Sequence, residues 1–230
     1  IAPGYRGDVV LLDDLKDFHV NRVFIEGALV AEEGKYLPEI KKCDISSVKG
    51  SVIVKDFSKE KFKMNLKSNK VNVIKILPGG VVTAKDTAEI ELDANGEFVR
   101  NPKVDLVKVA VVERHQGTGN VACGFLKGYG IKEGAVALSV AHDSHNIIVV
   151  GVNDEEMEFA VNSLIEQEGG IVLVKEGKVI ESMPMPIAGL MSDQSGEWVD
   201  QKLTDIHEKA YEELGICGDV EPVMTLCFMS

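Results

Sequence analysis

Apolar residues come along this chain first in short β-like runs and later in a mixture of strand and helix periods. "DVVLLD" (8–13) is followed by apolar stretches at 20–25 and 28–31 around the turn Glu26-Gly27. Short β-branched runs bounded by turn residues predict the strands of a small β element. From Tyr36 to Asn69 the pattern weakens: "SVIVKDF" (51–57) predicts one strand, and a lysine-rich polar stretch follows it. That break predicts a division into residues 1–65 and 66–230.

Beyond the break, "VNVIKIL" (71–77), "VVTAKDTAEIEL" (81–92) and "VDLVKVAVVER" (104–114) end at Pro78-Gly79-Gly80, at Asp93-Ala94-Asn95-Gly96 and near Gly117. Three such runs joined by turn residues predict an antiparallel meander. "AVALSVA" (135–141) and "NIIVVGV" (146–152) predict two further strands. Asn153 with Glu156 three residues on forms a capping pattern, and Met157, Ala160, Val161, Leu164 and Ile165 fall on one helical face. "GIVLVKEGKVIESM" predicts a hairpin turning at Glu176-Gly177, and a last helix is expected over 197–214 with Val199, Leu203, Ile206, Ala210 and Leu214 inward. Strands interrupted by single helices imply an α+β fold, a mixed and largely antiparallel sheet with helices over one face.

Composition narrows the function. With 230 residues the chain can bury a real core, and its net charge of −12 argues against nucleic-acid backbone binding. The lysines from Lys55 to Lys75 lack aromatic interleaving and predict a solvated face. Cys43, Cys123, Cys217 and Cys227 form no CxxC pair, so reduced and mostly buried thiols of a cytoplasmic protein are expected. No apolar run has the length a membrane span needs. The opening "IAPGYRGDVVLLDDL" has no methionine, and a piece of a longer chain is expected.

Three segments carry candidate chemistry. In "SVAHDSHNIIVVG" (139–151), His142-Asp143-Ser144-His145 sits between two strand-like runs. A tight turn there can bring together side chains that a regular strand would send to opposite faces. Two histidines and one carboxylate do not match a helical HExxH, and the residues alone leave open a hydrogen-bonded turn or a ligand-facing one. In "ERHQGTGN" (113–120), Gly117 and Gly119 before a helix-like "VACGFLKGYG" allow either an anion-binding nest or a plain turn, with Arg114 and His115 at the corner. "MPMPIAGLMSD" (183–193) carries Pro184, Pro186 and Gly189, and packing is the default for Met183, Met185 and Met191. The chain has no HxH pair, no Walker loop and no GxSxG.

The run from "ERHQGTGN" through "GFLKGYGIKEGAVALSVAHDSHNIIVVGVNDEEM" to "GGIVLVKEGKVIESMPMPIAGLMSD" resembles the C-terminal region of bacterial adenine deaminases, members of the amidohydrolase superfamily. The opening segment is similar to the one that follows the catalytic barrel in amidohydrolases and completes a small β-sandwich. The resemblance implies residues 1–65 as sandwich strands and connection, and 66–230 as the α+β C-terminal domain. It implies a parent enzyme that hydrolyses adenine to hypoxanthine and ammonia in purine salvage. There a metal-bound hydroxide, on manganese or iron held by the barrel, attacks C6. The barrel is expected to be absent from this chain, so the chain alone is expected to bind no metal and to be inactive. The resemblance makes His142, Asp143 and His145 candidates facing the barrel, and Ser144, Asn146, Arg114 and His115 candidates toward substrate. Adenine, the barrel and a second copy of the chain are the expected partners. Two alternatives stand: a structural or oligomerisation module, and a fragment of another amidohydrolase acting on a different cyclic amidine or amide.

Overall fold

The computed structural model describes residues 2–79 and 81–229. The chain divides into two compact units, Ile1–Asp44 and Ile45–Ser230.

The first unit is an antiparallel sheet in the order β1 (Val9–Leu12), β2 (Val20–Ile25), β3 (Ala28–Glu32) and β4 (Lys35–Tyr36). Glu26 and Gly27 turn the β2–β3 hairpin with φ of 51° and 80°, the left-handed pair that matches strand twist. None of its described residues is buried, and Leu15, Phe18, Ile25, Leu37 and Ile40 are exposed.

The second unit is built on eight strands: β5 (Lys70–Ile76), β6 (Thr83–Glu89), β9 (Leu106–Val112), β10 (Val121–Lys127), β11 (Ala135–Leu138), β12 (Ile147–Gly151), β13 (Gly170–Lys175) and β14 (Lys178–Pro184). Their order is β14-β13-β11-β12-β9-β10-β5-β6, and among the described residues only the β5–β10 pair is parallel. A separate small hairpin pairs β7 (Glu91–Leu92) with β8 (Phe98–Val99). Helices α1 (Asp154–Glu166), α2 (Gly196–Glu212) and α3 (Met224–Cys227) complete the unit.

The four central strands, β9, β11, β12 and β13, are almost wholly buried, and alternation explains where each residue goes. Val136, Leu138, Ile148, Val150, Ile171 and Leu173 share a core with Ile206 and Ala210 of α2. Ala135, Ala137, Ile147, Val149, Val172 and Val174 pack with Met157, Ala160, Val161 and Leu164 of α1. Helices therefore cover both faces, where one had been expected. The continuous apolar runs of these strands are what a sheet buried on both sides requires. Asn153 caps α1 by accepting from the Glu156 amide at 2.8 Å, and Glu176 and Gly177 turn the β13–β14 hairpin at positive φ, both as expected.

Several expected features differ. Residues 45–65 pack with the second unit, whereas the lysine-rich break had put a boundary at 65/66. The "SVIVKDF" stretch forms no strand; Val52, Val54 and Phe57 pack against the α1-side core, and the Ile53 amide donates to the Arg114 carbonyl at 2.8 Å. The meander also fails at its third member, because β9 leaves β6 behind and pairs with β10 and β12. "VACGFLKGYG" is mostly strand β10, not helix. The four cysteines are free, but Cys43 and Cys217 are exposed rather than buried.

Candidate functional site

The β9–β10 hairpin, the β11–β12 connection and the segment after β14 meet through side-chain and main-chain contacts of the second unit. Glu113 organises the first of these. Its carboxylate accepts from the amides of His115 (2.5 Å), Gln116 (2.7 Å) and Thr118 (2.9 Å), and from the Thr118 hydroxyl. The loop amides, for which an anion nest or a plain turn had been left open, thus hold the chain's own carboxylate. Thr118, Gln116 and His115 hold that carboxyl at a pKa of about 2, the Thr118 amide having the largest effect and desolvation opposing.

Because this value lies below that of the unfolded chain, ionised Glu113 favours the folded state above the ordinary carboxylate range. The contribution fades as pH falls from about 4.5 to about 2. Urea unfolding across that window is expected to show the wild type losing more stability than Glu113→Gln. Equal losses would contradict the assignment.

Next to it, Arg114 is 1% exposed. Its Nε donates to the His145 carbonyl at 2.5 Å, and Nη1 and Nη2 both donate to the Ala188 carbonyl at 3.2 Å. Burial lowers its pKa. His115 turns outward, with Nε2 donating to the Ser144 carbonyl at 2.9 Å.

The 141–146 segment is a tight turn, as its position between two strands predicts. The His145 amide donates to the Ala141 carbonyl at 2.8 Å, and Asp143 and His145 take φ of 65° and 50°. His142 and Asp143 face solvent, with side chains 59% and 91% exposed and 3.4 Å between Nδ1 and Oδ1. The His142 amide donates to the Cys227 carbonyl, and its ring stacks on Phe228 at 4.8 Å. His145 turns inward instead: its Nδ1, like Oδ1 of Asn146, is buried with no hydrogen-bond partner. The left-handed step at His145 sends the two imidazoles different ways, so the turn does not join them.

Ser139, Ala188, Gly189 and Phe228 belong to the same constellation, and of these only Gly189 had been singled out from the sequence. Ser139 is buried; its hydroxyl donates to the Gly189 carbonyl (2.5 Å) and accepts from the Gly170 amide (2.7 Å). A lone hydroxyl inside "AVALSVA" was the one available signal, since a buried polar group needs a partner. Of the three methionines expected to pack, Met183 is buried and Met185 packs against the core, but Met191 is 59% exposed. Elsewhere, a cleft of about 490 Å³ is lined by Lys59, Lys63, Arg100, Lys108 and Asp154, with Lys108 bonded to Asp154 at 2.7 Å and to the Phe62 carbonyl. Among the described residues no group of three His, Cys, Asp or Glu side chains is placed to hold a metal.

Fold and site define an α+β module whose polar turn is offered at the surface on a buried frame. The chain belongs to the family described as the adenine deaminase C-terminal domain, which matches residues 80–230. Over its whole length it is 63% identical to adenine deaminase 2 of Desulfotalea psychrophila, 46% to adenine deaminase of Ligilactobacillus salivarius and 42% to adenine deaminase 2 of Carboxydothermus hydrogenoformans. In each case the match covers 100% of this chain and 40% of the relative. No described helix is long and apolar enough to cross a membrane.

Proposed function

We propose that the chain serves as the C-terminal part of an adenine deaminase, a hydrolase that releases ammonia from adenine, and that the surface around residues 141–146 meets its catalytic part. The observation that carries this reading is the state of the turn. A purely structural turn would pair its buried polar atoms inside the unit. Here Asp143 is 91% exposed, while His145 Nδ1 and Asn146 Oδ1 lack partners. Exposed apolar side chains accompany it: Val48, Ile53, Met191 and Phe228. They are tied to it in turn by the Ala188–Val48 and Ile53–Arg114 main-chain bonds, the Ile187–Met191 bridge and the His142–Phe228 stack. Exposed apolar groups around polar ones are the composition of a contact surface.

In this reading His142, Asp143 and Ser144 shield or orient the purine, and His145 and Asn146, whose unpaired nitrogen and oxygen atoms are buried, support the turn from within. His115 braces Ser144, and Arg114 acts from beneath. The manganese or iron implied by the resemblance does not fit the residues present, so it is assigned to the catalytic part. The small first sheet, with no buried residue of its own, is assigned to the β-sandwich of that part. The cytoplasm, where free thiols persist, is the compartment proposed.

The purified 230-residue chain, given adenine and manganese or iron, is expected to release no ammonia above background. Measurable release would overturn the assignment of the chemistry to the missing part.

A further inference from the structure

Arg114 has no carboxylate partner among the described residues. Its three bonds all go to main-chain carbonyls, one in the 141–146 turn and one in the 187–191 turn. A guanidinium taken out of water is costly unless its donors are used, and these donors are spent on two separate loops. Both loops are strained at the points it grips: His145 has φ of 50°, and Ala188 has φ of 56°, a conformation alanine seldom adopts. The second turn is tied to the sheet as well. Ser139, just past the end of β11, donates to the Gly189 carbonyl and accepts from Gly170 of β13. Gly189 lies so close to the guanidinium that an added Cβ would fall 2.7 Å from Nη1.

We infer that Arg114 is a positioning residue that couples the 141–146 turn to the 187–191 turn, so that Ser139 and the sheet fix where His142, Asp143 and His145 are presented. The inference deepens the proposed function and rests on it for its catalytic consequence, but the coupling has its own test. A line of contacts runs from the strands through Ser139 and Gly189 to Arg114 and on to His145. Lysine cannot replace it, because a single ammonium lacks the planar fork that reaches both carbonyls.

The test is amide hydrogen exchange by NMR on the 230-residue chain. Ser139→Ala removes a hydroxyl that touches only the second turn and the sheet. With coupling, it speeds exchange at Leu190 and Met191 and also, by about tenfold, at His145. In an Arg114→Met background the same change speeds only Leu190 and Met191. Should that background not fold, Arg114→Lys replaces it, and Ser139→Ala on the wild type decides the matter alone. Faster exchange at Leu190 and Met191 with His145 unchanged would overturn the coupling. In a complete adenine deaminase chain, Arg114→Lys is expected to lower kcat by about tenfold with little change in KM. Unchanged kcat beside coupled exchange would count against the proposed function and leave the coupling standing.

Discussion

Gly170→Ala is expected to lower the melting temperature of the 45–230 unit by on the order of 10 °C. Gly170 opens β13 with φ of 111°, a conformation closed to residues with a side chain, and an added Cβ would collide with the Met183 carbonyl oxygen and lie 2.9 Å from the Met185 nitrogen. Both are main-chain atoms of the paired strand and its continuation, so neither can step aside without breaking the β13–β14 ladder. Backbone strain of about 1–3 kcal/mol and overpacking of about 1–3 kcal/mol add at this one site. For a unit of this size each kcal/mol moves the midpoint by roughly 2–4 °C.

Gly177→Ala is the matched control. It also carries positive φ, at 67°, but an added Cβ meets nothing within 4 Å. Thermal unfolding followed by circular dichroism should therefore separate the two variants widely. Equal shifts would mean that the close approach at Gly170 contributes nothing.

The contrast between these glycines also marks what sequence can convey. Both lie at turn-like positions, and the hairpin at Glu176-Gly177 was legible because its requirement is local. Gly170 depends on a carbonyl thirteen positions along the chain, and no local pattern carries that. The same division runs through the fold. Helix α1 was legible from its cap and its stripe, and the central strands from their apolar runs, because burial imposes a period. The place of β9 in the sheet was not, since pairing order is decided by which faces need cover. "VACGFLKGYG" read as helical because small residues and three glycines blur a strand's alternation, and only its pairing with β9 makes it β10.

The site divides likewise. "AHDSHN" was legible as a turn from its polar residues between two apolar runs. That His142 faces out and His145 in follows from left-handed φ values that histidine tolerates without advertising. Arg114 was singled out for its charge, yet its donors point at carbonyls 31 and 74 positions away. Whether Gly117 and Gly119 make a nest or a plain turn stayed open in the sequence, because nothing in the spacing shows Glu113 folding back onto the loop amides.

The central claim is that the exposed turn contributes to adenine deamination from outside the catalytic part, and His142 is where it can be tested with least disturbance. Its side chain is 59% exposed, and its turn is held by main-chain bonds of His142 to Cys227 and of His145 to Ala141. Truncation removes the ring and its stack on Phe228 while leaving those bonds in place. Substitutions of this kind at a surface usually change stability by within about 0.5 kcal/mol. The decisive measurement is the steady-state kinetics of His142→Ala in a complete adenine deaminase chain, with the melting temperature recorded alongside. A loss of about tenfold or more in kcat/KM, equivalent to about 1.4 kcal/mol of transition-state stabilisation, with an unchanged melting temperature is the expected result. Unchanged kinetics with a lowered melting temperature would contradict the account and leave the turn a structural feature.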